Sequence, residues 1–194
     1  MSKTRTLSIA LVGSTLVLVG AVANCGGGSP ATPQAKPSVA EQAKEVHTKN
    51  WTAPSFKMHG QALCDQIMEH HPELISVTFH GVPPGLADVY TMFAGSFPER
   101  IGNADDPDDE MVTKTGITIL DPRWHRLHDP VRKFVVMTPL RDSSGENIGL
   151  IVLAYHNPSN SGKTDLDFFT SARALRDGLQ SKIPSYAGLF EAAK

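Results

Sequence analysis

Only two cysteines, Cys25 and Cys64, occur in 194 residues. So few rule out a disulfide-stapled scaffold, and a four-cysteine zinc knuckle with it. Charge of one sign is also missing. The 18 Lys and Arg stand against 20 Asp and Glu, a formal net charge of −2, so the basic stripe of a nucleic-acid-binding domain is not there. Beyond the N-terminal region no long apolar run occurs, which excludes a protein of many membrane spans. There is no internal repeat, no G-x-S-x-G elbow, no P-loop and no H-E-x-x-H. A triad assembled in space from distant residues stays open, because triads occur in any chain order.

What is present begins with a leader. Lys3 and Arg5 precede an uncharged apolar run over 7–23, and "AVANCGGGSPATPQAKPS" follows. A basic flank, a short apolar stretch and small residues before a cut site describe a secretory signal over 1–24, too short for a membrane span. The mature protein is expected outside the cytoplasm, periplasmic or at the cell surface. "VANC" resembles the lipobox of bacterial lipoproteins, with Cys25 as the lipidated residue and Asn24 where the pattern has Gly, Ala or Ser. Cleavage after Ala23 by the small-x-small rule is the alternative. The glycine- and proline-rich stretch over 25–38 suits a flexible tether, so membrane contact is expected through the lipid anchor only.

The rest, 39–194, reads as one α+β domain. A helical piece over 39–47 precedes Trp51 and Pro54. A helix over 55–69 follows, with Phe56, Leu63 and Ile67 on one face and Cys64 as a small buried apolar residue. Strands at 74–80 and 88–95 should pair as a hairpin across "GVPPGLA". "DDPDDEMVTKTG" carries the marks of a short helix, with Asp106 as cap, Pro107 in the first turn, acids toward the positive end of the dipole and Gly116 as the stop. Those roles account for the acidic run without calcium, whose loop needs alternating oxygen ligands and a central glycine bend. A short strand at 116–120 leads into the turn-rich "DPRWHRLHDP" (121–130). The apolar runs 134–140 and 148–155, joined by a polar turn with Gly145, read as a hairpin at the centre of a sheet. Being apolar at nearly every position, they require cover on both faces. The last helix starts at Thr164, with Asp167 reaching back, and places Phe168, Ala172, Leu175 and Leu179 in one stripe.

The element order and "FVVMTPLRDSSGENIGLIVLAY" together resemble the bacterial single-Cache domains, PAS-like extracytoplasmic sensor modules, over residues 39–182. The resemblance implies a five-stranded antiparallel sheet, with N-terminal and C-terminal helices packed on one face and a small-molecule pocket on the other. Such sensors usually continue into a transmembrane helix and a signalling domain, whereas this chain ends soon after its last helix. A membrane receptor or kinase is therefore the expected partner.

Under that picture the loop 121–130 and the strand 88–95 line the pocket mouth. Asp88, Tyr90, Arg123, Trp124 and His125 are the leading ligand-binding candidates. Arg123 suits a carboxylate by two parallel hydrogen bonds, and Trp124 can stack on a planar or cationic group. His80, Thr138 and Tyr155 join them as polar groups among apolar strand neighbours. His125 and His128 lie at i and i+3, but no second close ligand pair completes a tetrahedral zinc site, so neither metal nor cofactor is expected. The expectation is a non-enzymatic, sensor-type domain that captures a metabolite and presents or reports it to a membrane partner. A periplasmic hydrolase using His125 or His128, or a haem- or metal-binding lipoprotein, is the alternative.

Overall fold

The computed structural model describes residues 48–122 and 131–194. The leader, Cys25, the tether, the 39–47 segment and residues 123–130 lie outside the described residues. Eight elements follow in order: α1 (His59–His70), β1 (Leu74–Gly81), β2 (Thr91–Gly95), α2 (Pro107–Thr115), β3 (Ile119–Leu120), β4 (Lys133–Arg141), β5 (Asn147–His156) and α3 (Asp165–Leu179). Short 3-10 turns at Pro98–Arg100, Gln180–Lys182 and Ala187–Phe190 complete the described fold. Among the described residues no helix is long and apolar enough to cross a membrane.

The expected fold class is the observed one. The chain is α+β, with a five-stranded antiparallel sheet in the order β2-β1-β5-β4-β3. The β4–β5 hairpin pairs from Lys133 opposite His156 to Arg141 opposite Asn147. Its turn works because Gly145 takes the left-handed φ of 88° that a side chain would resist, while Asp142 Oδ1 accepts from Ser144 and Glu146. β5 then receives β1 on its other edge, and so becomes the central strand.

Strand alternation divides the sheet into two apolar faces. On one, Val77, Phe79, Phe93, Val136, Ile151 and Leu153 pack against Leu63, Cys64 and Ile67 of α1 and Phe168, Ala172 and Leu179 of α3. Phe134 and Phe168 stack there at 4.5 Å between centroids and 10° between planes. Each fully buried side chain of this size contributes roughly 1.5–3 kcal/mol. The opposite face carries Val135, Met137, Leu150 and Ala154, with Val112 of α2 set against them. The two-faced burial that the apolar runs demand is thus met by α1 and α3 on one side and α2 on the other.

Several boundaries differ from the sequence expectation, each for a local reason. α1 begins at His59 rather than 55, because Met58 is held in a bridge with Ala192 and the His59 N–H donates to the Glu191 carbonyl. Phe56 is therefore outside the helix and exposed instead of on its buried face. β2 starts at Thr91 because Asp88, at φ 56°, turns the chain away from extended geometry. β3 is only two residues long. α2 is capped at Asp106 as expected, with Asp109 reaching back to it as well, α3 carries the expected capping box of Thr164 with Asp167, and Gly116 ends α2 at φ 70°.

Candidate functional site

A buried polar cluster interrupts the apolar face beneath α2. Thr78 and His80 share one side of β1, and pairing sets them beside Val152 and Leu150 of β5. The irregularity between Phe79 and His80, where β1 slips against β2, lies at this point. Asp105 and Asp109 come from the start of α2, where Asp109 Oδ2 also accepts from the Asp106 backbone N–H at 3.2 Å. The result is a chain of contacts. Thr78 Oγ1 lies 2.7 Å from His80 Nε2, His80 Nδ1 lies 2.7 Å from Asp105 Oδ1, and Asp109 Oδ2 stands 3.8 Å from the same Nδ1.

Burial sets the electrostatics. The Asp105 side chain is fully buried, and those of His80 and Asp109 are about 90 % buried. Burial by itself lowers the His80 pKa, but the carboxylates of Asp105 and Asp109 outweigh it, and the imidazole is pushed up to about 9. Burial raises Asp109 to about 6, against the opposing pull of His80. At neutral pH the ring is an imidazolium, donating to Asp105 on one side and to Thr78 on the other. One polar atom of the cluster is left over: Asp105 Oδ2 is buried and accepts no hydrogen bond from the described residues.

The other predicted residues are distributed differently. Asp88 is exposed. Tyr90 is half-buried under Lys114 Nζ, 4.4 Å from its ring centre, and lines an open groove of about 350 Å³ with Val82, Thr113, Asn147, Ile148 and Tyr186. Thr138 and Tyr155 correct the parity argument, because both point to the α1/α3 face and not to the α2 face. Thr138 lies 3.1 Å from Thr118 Oγ1 and 3.5 Å from an Arg176 guanidinium nitrogen. Tyr155 is packed against Phe168 in the core, and burial raises its hydroxyl pKa. Arg123, Trp124 and His125 lie outside the described residues, as does Cys25.

Of the five ligand-binding candidates among the described residues, the structure brings only His80 into the cluster. Asp105 and Asp109 were not among the candidates, since a helix start explains their acidity on its own. The available signal was the histidine inside an otherwise apolar strand, which has to find a partner somewhere. A second depression of about 530 Å³ runs between α1 and α3, floored by Leu63, Ile67, Leu175 and Leu179, with His70, His71, Glu73 and Lys182 at its polar margin. Among the described residues it holds no buried polar side-chain atom without a partner.

No family model and no curated protein matches the sequence. Among solved structures the chain is similar to the type II free methionine-R-sulfoxide reductase from Thermoplasma acidophilum, at 16 % identity and a TM-score of 0.45, over 68 % of this chain and 92 % of that one.

Proposed function

We propose that this domain is an extracytoplasmic, sensor-type binding module of the Cache-like kind, which captures a small metabolite and presents or reports it to a membrane partner. The observation that carries the reading is the open groove of about 350 Å³ beside α2, where the apolar Val82 and Ile148 stand next to the polar Tyr90, Thr113, Asn147 and Tyr186. An apolar surface with a few fixed polar groups is what orients and holds a small ligand. The secretory leader and tether expected at the N-terminus put such a module where external metabolites are found.

The test is a thermal-shift screen of the purified protein with amino acids, amines, carboxylates and purines, alongside native mass spectrometry for co-purified molecules. A ligand of the folded state raises the melting temperature as RT ln(1 + [L]/Kd). The expected result is a saturable stabiliser whose effect shrinks in Tyr90→Ala. An unresponsive, empty protein sinks the reading.

The Thr78–His80–Asp105 chain also has the hydroxyl–imidazole–carboxylate order of a hydrolase relay. It supports that second reading less well, because the Thr78 residue is only 8 % exposed and a ring protonated at neutral pH has no lone pair to take the hydroxyl proton. Turnover of p-nitrophenyl esters that is lost in Thr78→Val would reverse this preference.

A further inference from the structure

The geometry points to a divalent transition-metal site made by His80, Asp105 and Asp109, with Thr78 behind the imidazole. One ligand atom from each of the three residues lies within 4.8 Å of the other two. Two carboxylates and a neutral imidazole match the charge of one divalent cation, and the mix of nitrogen and oxygen favours zinc, manganese or iron over calcium, which takes six or more oxygens. The buried Asp105 Oδ2, which accepts no hydrogen bond from the described residues, is the independent sign. A fully buried carboxylate oxygen without a donor is costly, and a bound cation satisfies it.

The outer contacts are also those of a metal-bound histidine. Nδ1 faces the two carboxylates, and Nε2 is free to donate to Thr78 Oγ1 at 2.7 Å. Ligating imidazoles characteristically donate their second N–H in this way, which fixes the ring. Metal–ligand bonds of about 2.0–2.2 Å put neighbouring ligand atoms about 3.3 Å apart. Binding would open the 2.7 Å contact between His80 and Asp105 slightly and close the 3.8 Å contact to Asp109. A site with three protein ligands keeps at least one position open to solvent or to a small molecule.

The experiment is calorimetric titration of the EDTA-stripped full chain with zinc chloride, repeated with manganese and calcium, and paired with the absorption spectrum of the cobalt-loaded protein. One equivalent of zinc is expected, with calcium far weaker, and cobalt bands of a nitrogen- and oxygen-ligated ion. Asp105→Asn, close in shape to the parent, should lower zinc affinity at least tenfold, Thr78→Val should lower it about tenfold, and the surface change His70→Gln should leave it unaltered. No saturable binding, or binding unchanged in Asp105→Asn, overturns the site. A loss in Asp108→Asn but not in Asp105→Asn overturns it too, by moving the ion to the neighbouring Asp106–Asp108–Asp109 group. If Asp105→Asn does not fold by circular dichroism, Thr78→Val and the cobalt spectrum decide between the same outcomes.

Discussion

His80 and Asp105 stand 25 residues apart in sequence, yet Nδ1 and Oδ1 meet at 2.7 Å with the carboxylate fully buried. The contact ties the end of β1 to the start of α2.

Removing one partner should therefore cost more than the contact itself provides. Asp105→Ala leaves a buried imidazolium without its main counter-charge, and a loss of about 3–5 kcal/mol in urea unfolding is expected. The double change Asp105→Leu with His80→Leu should recover most of that loss, since no charge then remains to be buried. A single-site cost below about 1 kcal/mol would mean the cluster is wet.

Stability of the metal-free protein should fall as the solution turns alkaline. His80 is raised from 6.5 to about 9, so its contribution is fully present below pH 6.5 and is lost as pH rises through 9. Asp109, raised from 3.8 to about 6, acts with the same sign at lower pH, because the folded state again binds more protons than the unfolded one. Melting temperatures in EDTA at pH 6.5, 8 and 9.5 should drop by several degrees across the series. In His80→Gln the alkaline drop should largely disappear.

The aromatic stack beneath α3 gives a prediction independent of the site. Phe168 is 1 % exposed and lies 4.5 Å from Phe134. Phe168→Ala should cost about 3–5 kcal/mol through lost burial and the cavity left behind, read as a shift in the urea midpoint with an unchanged slope.

Gly149 sets how closely β5 approaches β1 at His80. A Cβ there would meet the His80 carbonyl oxygen at 2.5 Å. Gly149→Ala should push β1 from β5 at His80, cost about 1–3 kcal/mol, and weaken zinc binding in the same variant. Unaltered zinc binding with altered stability would show that the strands part without moving the imidazole.

Much of this fold was legible because its signals are local. Thr164 with Asp167, Asp106 and Gly116 each act within one helical turn, and all three do what their spacing predicts. The β4–β5 hairpin was equally readable from two apolar runs and a glycine turn. Asp88 shows where such reading fails, since its left-handed φ shortens β2 in a segment that looks extended. The cluster was out of reach for another reason. Asp109 already has a sufficient local role as a capping partner, and nothing within a turn of Asp105 shows that it meets a strand residue from the previous hairpin. Parity misplaced Thr138 and Tyr155 because both faces of β4 and β5 are apolar, which leaves alternation without a polar side to mark.

The strand order has a kinetic consequence. β1–β2 and β4–β5 are local hairpins that close across short connections, whereas the β1–β5 seam joins Thr78 to Val152 from opposite ends of the domain. Closing that long loop is the entropically slow step of assembly. His80 is on one side of the seam and its strand neighbour Leu150 on the other, and Val112 of α2 packs on Val135, Met137 and Leu150, so the cluster is closed off from water only when the two halves of the sheet dock.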